Sequence, residues 1–88
     1  MKQTMKYDEY LLRTYDTYFQ DVRNERVSKF VDDTAAINAA KSQLCLLHTQ
    51  DTVEIQVCRK GLSMGEWVMF AAVFYDYDGS ILVEDCFC

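Results

Sequence analysis

Residues Trp67–Tyr75 read WVMFAAVFY, an apolar run with no charged side chain in it. Side chains on a strand alternate between faces. Trp67, Met69, Ala71, Val73 and Tyr75 then form one face, and Val68, Phe70, Ala72 and Phe74 form the other. A strand apolar on both sides must be covered above and below, or leave a face for another chain. The run is too short to cross a bilayer.

Asp78-Gly79 follows, a strong signal for a two-residue hairpin loop, because a type I′ turn needs positive φ at both central positions. Placing these two residues in the loop opposes Tyr77 to Ser80, Tyr75 to Leu82 and Phe74 to Val83. Opposed residues share a sheet face. Leu82 thus extends the Trp67 side, while Ile81 and Val83 extend the Phe70 side. Glu66–Asp85 is a long strand, a tight turn and a returning strand, and the rest of the chain is material to cover it.

Upstream, Thr52–Cys58 alternates Val53, Ile55 and Val57 with Glu54, Gln56 and Cys58, which predicts one buried and one wet face. Arg59–Gly65 is a loop leading into the apolar run. Before it, TAAINAAKSQLCLL is rich in Ala and Leu and places Ile37, Ala40, Leu44 and Leu47 on one helical face, with Asn38, Lys41 and Ser42 toward water. Asp32 or Asp33 can cap its first turn, Phe30 or Val31 can staple back onto it, and the helix should end near His48 and Thr49. At the N-terminal end, Tyr7, Leu11, Tyr15, Tyr18 and Val22 fall at helical spacings, yet RTYDTYF is dense in residues that favour a pleated surface. The expectation is a strand over Tyr10–Phe19, with a helix as the alternative, then a polar loop at Asp21–Glu25 and a short strand at Arg26–Val31.

These elements predict a single α+β domain over residues 1–88: an antiparallel sheet of three to five strands with one main helix on one face, in the order β(β)-α-β-β-β. The 88 residues suffice for one core and not for two.

Fourteen acids spread over the chain against nine Lys and Arg give a net charge of −5. That balance opposes direct binding to nucleic acid or to anionic membranes and favours a basic protein partner. MKQTMKYDEY puts charges where an apolar signal core would sit, so a cytoplasmic protein is expected. Cys45, Cys58, Cys86 and Cys88 form no CxxC pair and read as reduced thiols.

The constellations that could carry chemistry are incomplete. Asp76, Asp78, Gly79, Ile81 and Asp85 overlay part of a calcium loop, but Phe74 stands where the first oxygen ligand belongs and strands flank the loop. His48 with Cys58, Cys86 and Cys88 lacks the pair spacing zinc favours. His48, the only histidine, has a structural role as a cation at a helix end. Asp32/Asp33 and Glu84/Asp85 are sequence neighbours, and on a strand such neighbours face opposite ways. Gly61 and Gly65 are not followed by the Lys-Ser/Thr of a phosphate loop. Phe70 and Phe74 on one sheet face evoke an aromatic RNA platform, but the chain lacks the basic groove that accompanies one. The expectation is a protein that is not an enzyme, with no cofactor, no metal and no direct nucleic-acid binding.

One helix covers one sheet face, which leaves the other for the N-terminal segment or for a partner. In size, acidity and lack of catalytic groups the chain looks like the small proteins that phages encode against host defence, including anti-CRISPR proteins; the resemblance is one of composition. It implies an inhibitor, encoded by a phage or mobile element and acting in the host cytoplasm, that occupies a basic nucleic-acid-binding surface on a defence nuclease complex. The candidate contact residues are Asp76, Asp78, Glu84, Asp85, Phe70 and Phe74. The alternative is a structural or regulatory homodimer joined through the aromatic sheet face or an edge strand.

Overall fold

The computed structural model describes residues 7–47, 52–61 and 65–85. Along the chain these form β1 (Asp8–Asp16), β2 (Asp21–Phe30), α1 (Asp33–Leu46), β3 (Val53–Lys60), β4 (Trp67–Tyr75) and β5 (Ile81–Asp85). The five strands make one sheet in the order β2-β1-β3-β4-β5, antiparallel at every pairing. This is the expected α+β architecture, with α1 packed on one face.

The N-terminal segment is strand, not helix, and it enters the sheet rather than lying across it. The turn falls earlier than expected, at residues 17–20. There the Asp16 carboxylate accepts hydrogen bonds from the backbone N–H of Tyr18 and Phe19 at 2.9 and 3.1 Å, and Gln20 takes φ 57°. Asp21–Glu25 is therefore strand and not loop. β2 lies at the sheet edge and is exposed through most of its length, so it needs no apolar alternation to hold its place.

Asp32 is the N-cap of α1, accepting from the Ala35 N–H at 2.9 Å. Ala36, Ala40 and Leu44 are fully buried, with Ile37 and Leu47 packed at the margin. The two alanines let the helix approach the sheet closely. They join Tyr10, Leu12, Ile55, Val57, Ala71 and Val73 in one core. Leu47 caps the helix C-terminus; the expected end at His48 and Thr49 lies outside the described residues.

Two departures from simple alternation set the faces of the β4–β5 hairpin. The register shifts at Val57/Cys58, so that Ala71 opposes Val57 while Met69 opposes Cys58, leaving Phe70 as an extra residue. Such a bulge lets consecutive residues lean to one face. Phe70 accordingly packs on the helix side with Ala71, its ring 6.0 Å from that of Tyr10. Trp67 and Met69 share the opposite, open face with Ala72 and Phe74. Phe70 and Phe74 therefore lie on opposite faces, contrary to the simple alternation.

At the turn, the Gly79 N–H donates to the Asp76 carbonyl at 3.0 Å, the Asp76 N–H donates to Ser80 at 2.8 Å, and Gly79 takes φ 90°. This is a three-residue loop closed by a left-handed glycine, so Tyr75 opposes Ile81 and Phe74 opposes Leu82. The pairing expected from a two-residue loop is off by one. The bulge and the longer loop offset each other: Leu82 still shares the Trp67 face, and Ile81 and Val83 still share that of Phe70.

No second layer covers the open face among the described residues. Its side chains form rows running across the strands, as the pairings show. Lys29, Glu9, Lys60 and Trp67 make one. Val27, Leu11, Cys58 and Met69 make the next, followed by Glu25, Arg13, Gln56, Ala72 and Glu84, and then Tyr15, Glu54, Phe74 and Leu82. Alternating polar and apolar rows break up what would otherwise be a large hydrophobic patch. The second face of β3 is not wet as its alternation predicts: Gln56 is 8% and Cys58 0% exposed. β3 is the central strand, flanked by β1 and β4, and Arg13 of β1 reaches over it. Arg13 Nη1 donates to Gln56 Oε1 at 3.0 Å, and Gln56 Nε2 donates to Glu54 at 2.7 Å.

Candidate functional site

Two surface regions gather polar side chains. The first is an open cleft of about 580 Å³ lined by Tyr7, Asp8, Glu9, Tyr10, Lys29, Asp33, Arg59 and Lys60. The helix start and the ends of β1 and β3 meet here. Tyr10 Oη donates to Asp33 Oδ1 at 2.8 Å, Arg59 pairs with the other oxygen of the same carboxylate, and the Arg59 guanidinium sits 4.7 Å from the Phe70 ring centre. Burial, reinforced by the neighbouring Asp33 carboxylate, pushes the Tyr10 phenol up to about 12. Lys60 pairs with Glu9 at 2.9 Å and lies 5.6 Å from the Trp67 ring centre. That Lys60 contact holds the Glu9 carboxyl below its ordinary value. Asp33, Glu9, Arg59 and Lys60 already satisfy one another, so the cleft reads as a clamp between α1 and the sheet. The carboxylate that accepts from Tyr10 is itself paired with Arg59, and the phenol is pushed up rather than down, so the hydroxyl stays protonated at neutral pH.

The second region is the β4–β5 hairpin and the β5 edge. Asp76 and Asp78 flank Tyr77 at the tip, and Tyr77 is 100% exposed. Asp78 Oδ1 accepts from the Ser80 N–H at 2.9 Å, and that bond holds its carboxyl below the usual range, so the tip stays charged. Glu84 opposes Ala72 on the open face, next to the row holding Phe74 and Leu82, whereas Asp85 opposes Ala71 on the helix side. The structure thus brings together Asp76 and Asp78, sets Glu84 and Asp85 further along the same edge, and places Phe74 beside them. Phe70 is excluded, because it lies on the other face beneath Arg59. Asp85 stands at the far end of β5 from the turn, remote from Asp76 and Asp78, which separates the acids of the calcium-loop pattern. Among the described residues no group of three or more His, Cys, Asp or Glu is arranged to hold a metal. Cys45 is exposed and Cys58 buried; His48, Cys86 and Cys88 lie outside the described residues.

The acids are spread along the chain, but their compensation is not. All nine Lys and Arg lie at or before Lys60, where nine acids balance them, while the later residues hold Glu66, Asp76, Asp78, Glu84 and Asp85. The whole formal charge of −5 therefore belongs to the segment that forms β4, the hairpin and β5. On the other side of the sheet, Arg13 pairs with Glu25, and Arg23 pairs with both Asp16 and Asp21. Sequence reasoning found the acids and missed Tyr77; the signal available was a Tyr between two acids in a turn.

The fold and this edge define a small α+β domain with a charged, exposed strand edge. Comparison with protein-family models, with curated proteins and with solved structures gave no match. No described helix is long and apolar enough to cross a membrane.

Proposed function

We propose that the chain is a non-enzymatic binding protein that presents the β4–β5 hairpin and β5 edge to a basic surface on a protein partner. The observation that carries this reading is the concentration of uncompensated acid beyond Lys60, with four of the five acids, Asp76, Asp78, Glu84 and Asp85, on the exposed hairpin and β5. Tyr77 supplies an aromatic anchor at the tip, and the flanking Asp76 and Asp78 supply charge on a rigid turn. Acids fixed in this way can compete with phosphates for a cationic channel. An anti-CRISPR-like inhibitor, encoded by a phage or mobile element and acting on a host defence nuclease in the cytoplasm, is the form of this activity that the composition favours.

The test is displacement of labelled nucleic acid from purified defence nuclease complexes, read by fluorescence anisotropy. Displacement by the wild type should weaken about tenfold or more in the double variant Asp76→Lys/Asp78→Lys, and should weaken with added salt. Displacement that is indifferent to both changes would remove the electrostatic mechanism, and failure to displace from any such complex would remove the inhibitory reading.

A further inference from the structure

The opposite edge of the sheet is built differently. β2 is twice as long as β5, at 10 residues against 5, and carries charges of both signs. Its pairing with β1 is regular from Asn24 to Phe30 and breaks only beyond Asn24, where Asn24 opposes Thr14 but Val22 opposes Tyr15. The regular stretch is centred on Val27. Among the described residues nothing pairs with its outer edge.

We infer that this edge pairs with β2 of a second copy of the chain, antiparallel and about a twofold axis at Val27, making one continuous sheet across the dimer. The argument is charge complementarity in a fixed register. Opposed residues must share a face, so an axis through the sheet passes at a residue position. Centring on Val27 opposes Val27 to its own copy, Glu25 to Lys29 of the partner subunit and Lys29 to Glu25 of the partner subunit. All six of these side chains lie on the open face, and the paired valines extend the apolar row of Leu11, Cys58 and Met69 into the second subunit. On the helix face, Arg26 opposes Ser28 of the partner subunit.

The neighbouring registers are worse. Centring on Glu25, Arg26 or Lys29 sets like charges directly opposite, which destabilises a ladder. Centring on Ser28 opposes Val27 to Lys29 and forms no ion pair, and centring on Asn24 opposes Glu25 to Arg23, which is the extra residue at the break in pairing and is already held by Asp16 and Asp21. Self-pairing through β5 would join two short strands from the segment that holds all the uncompensated acid. Strand addition at β2 therefore has a preferred partner, a preferred register and a closed symmetry. This pairing stands on β2 alone and does not depend on the role of the β5 edge.

The experiment uses sedimentation of the full chain and of two variants, Glu25→Lys and Lys29→Glu, from low to high micromolar concentration. The wild type should form a dimer, each variant alone should dimerise at least about tenfold more weakly because both ion pairs become repulsive, and an equal mixture of the two should restore the dimer as a heterodimer. Restoration by mixing separates pairing from any damage to a single fold. A wild type that stays monomeric throughout, variants that dimerise as well as the wild type, or a mixture that gives no heterodimer would each overturn the proposal. Hydrogen exchange on the wild type gives a second reading that needs no variant. Amides within Asn24–Phe30 should gain protection as concentration rises, and protection gained at β5 instead would assign the wrong edge.

Discussion

Tyr10 joins three elements through one side chain: its ring touches Phe30 and Phe70, and its hydroxyl donates to Asp33 at the start of α1. Removing the hydroxyl in Tyr10→Phe leaves Asp33 held by Arg59 and should cost about 1 kcal/mol in denaturant unfolding. The same contact predicts a pH dependence. The phenol is raised from about 10 in the unfolded chain to about 12 in the folded one, so its stabilising contribution is complete below pH 10 and is lost as pH rises toward 12. Wild type should lose on the order of 2 kcal/mol across that interval beyond what Tyr10→Phe loses, measured by urea titration at each pH. Asp16 behaves in the opposite sense, since backbone N–H groups and Arg23 hold its carboxyl below the ordinary value. Its contribution is present at neutral pH and lost on acidification. These contacts were not legible in the sequence. Tyr10 and Arg59 are brought together by strand pairing and Asp33 by the packing of α1 on the sheet, all over long sequence separations, and nothing local to any of them signals the other two.

At the scale of elements, the β4–β5 hairpin shows how much a local signal settles. Asp78-Gly79 marked the turn, and the apolar run marked β4 from Trp67 to Tyr75 as found. The number of loop residues and the position of the bulge were hidden, because both are fixed by pairing with β3 and β5. Gly79 holds φ 90° with nothing within 4 Å of where a Cβ would stand. Gly79→Ala should therefore cost about 1 kcal/mol from backbone strain alone, seen as a shift in the denaturant midpoint at unchanged m-value. A cost near zero would mean the turn rearranges so that residue 79 no longer takes positive φ. β2 was only half legible for a related reason. A strand at an edge buries little, so its polar half, Asp21–Glu25, carries the composition of a loop while taking the conformation of a strand.

At the scale of the molecule, the net charge and its bias to the last hairpin were legible, whereas the place of that hairpin was not, since only the sheet order puts it at one side. Anion-exchange elution should expose that asymmetry. Asp76→Asn/Asp78→Asn and Asp21→Asn/Glu25→Gln remove the same formal charge, yet the hairpin pair should lower the eluting salt concentration more, because the resin binds the face where acid is uncompensated. Equal elution would show that the charge acts as if it were uniform. The order β2-β1-β3-β4-β5 also fixes a length. Four strand spacings separate the outer edges, about 19 Å, whereas ionic screening at physiological salt decays over about 8 Å. In a cell the two edges are thus electrically deaf to each other, and a partner arriving at one senses almost nothing of the other; in dilute buffer the screening length grows past the width of the sheet, and the protein behaves as a single lopsided ion that turns its acidic side to an approaching cation before contact.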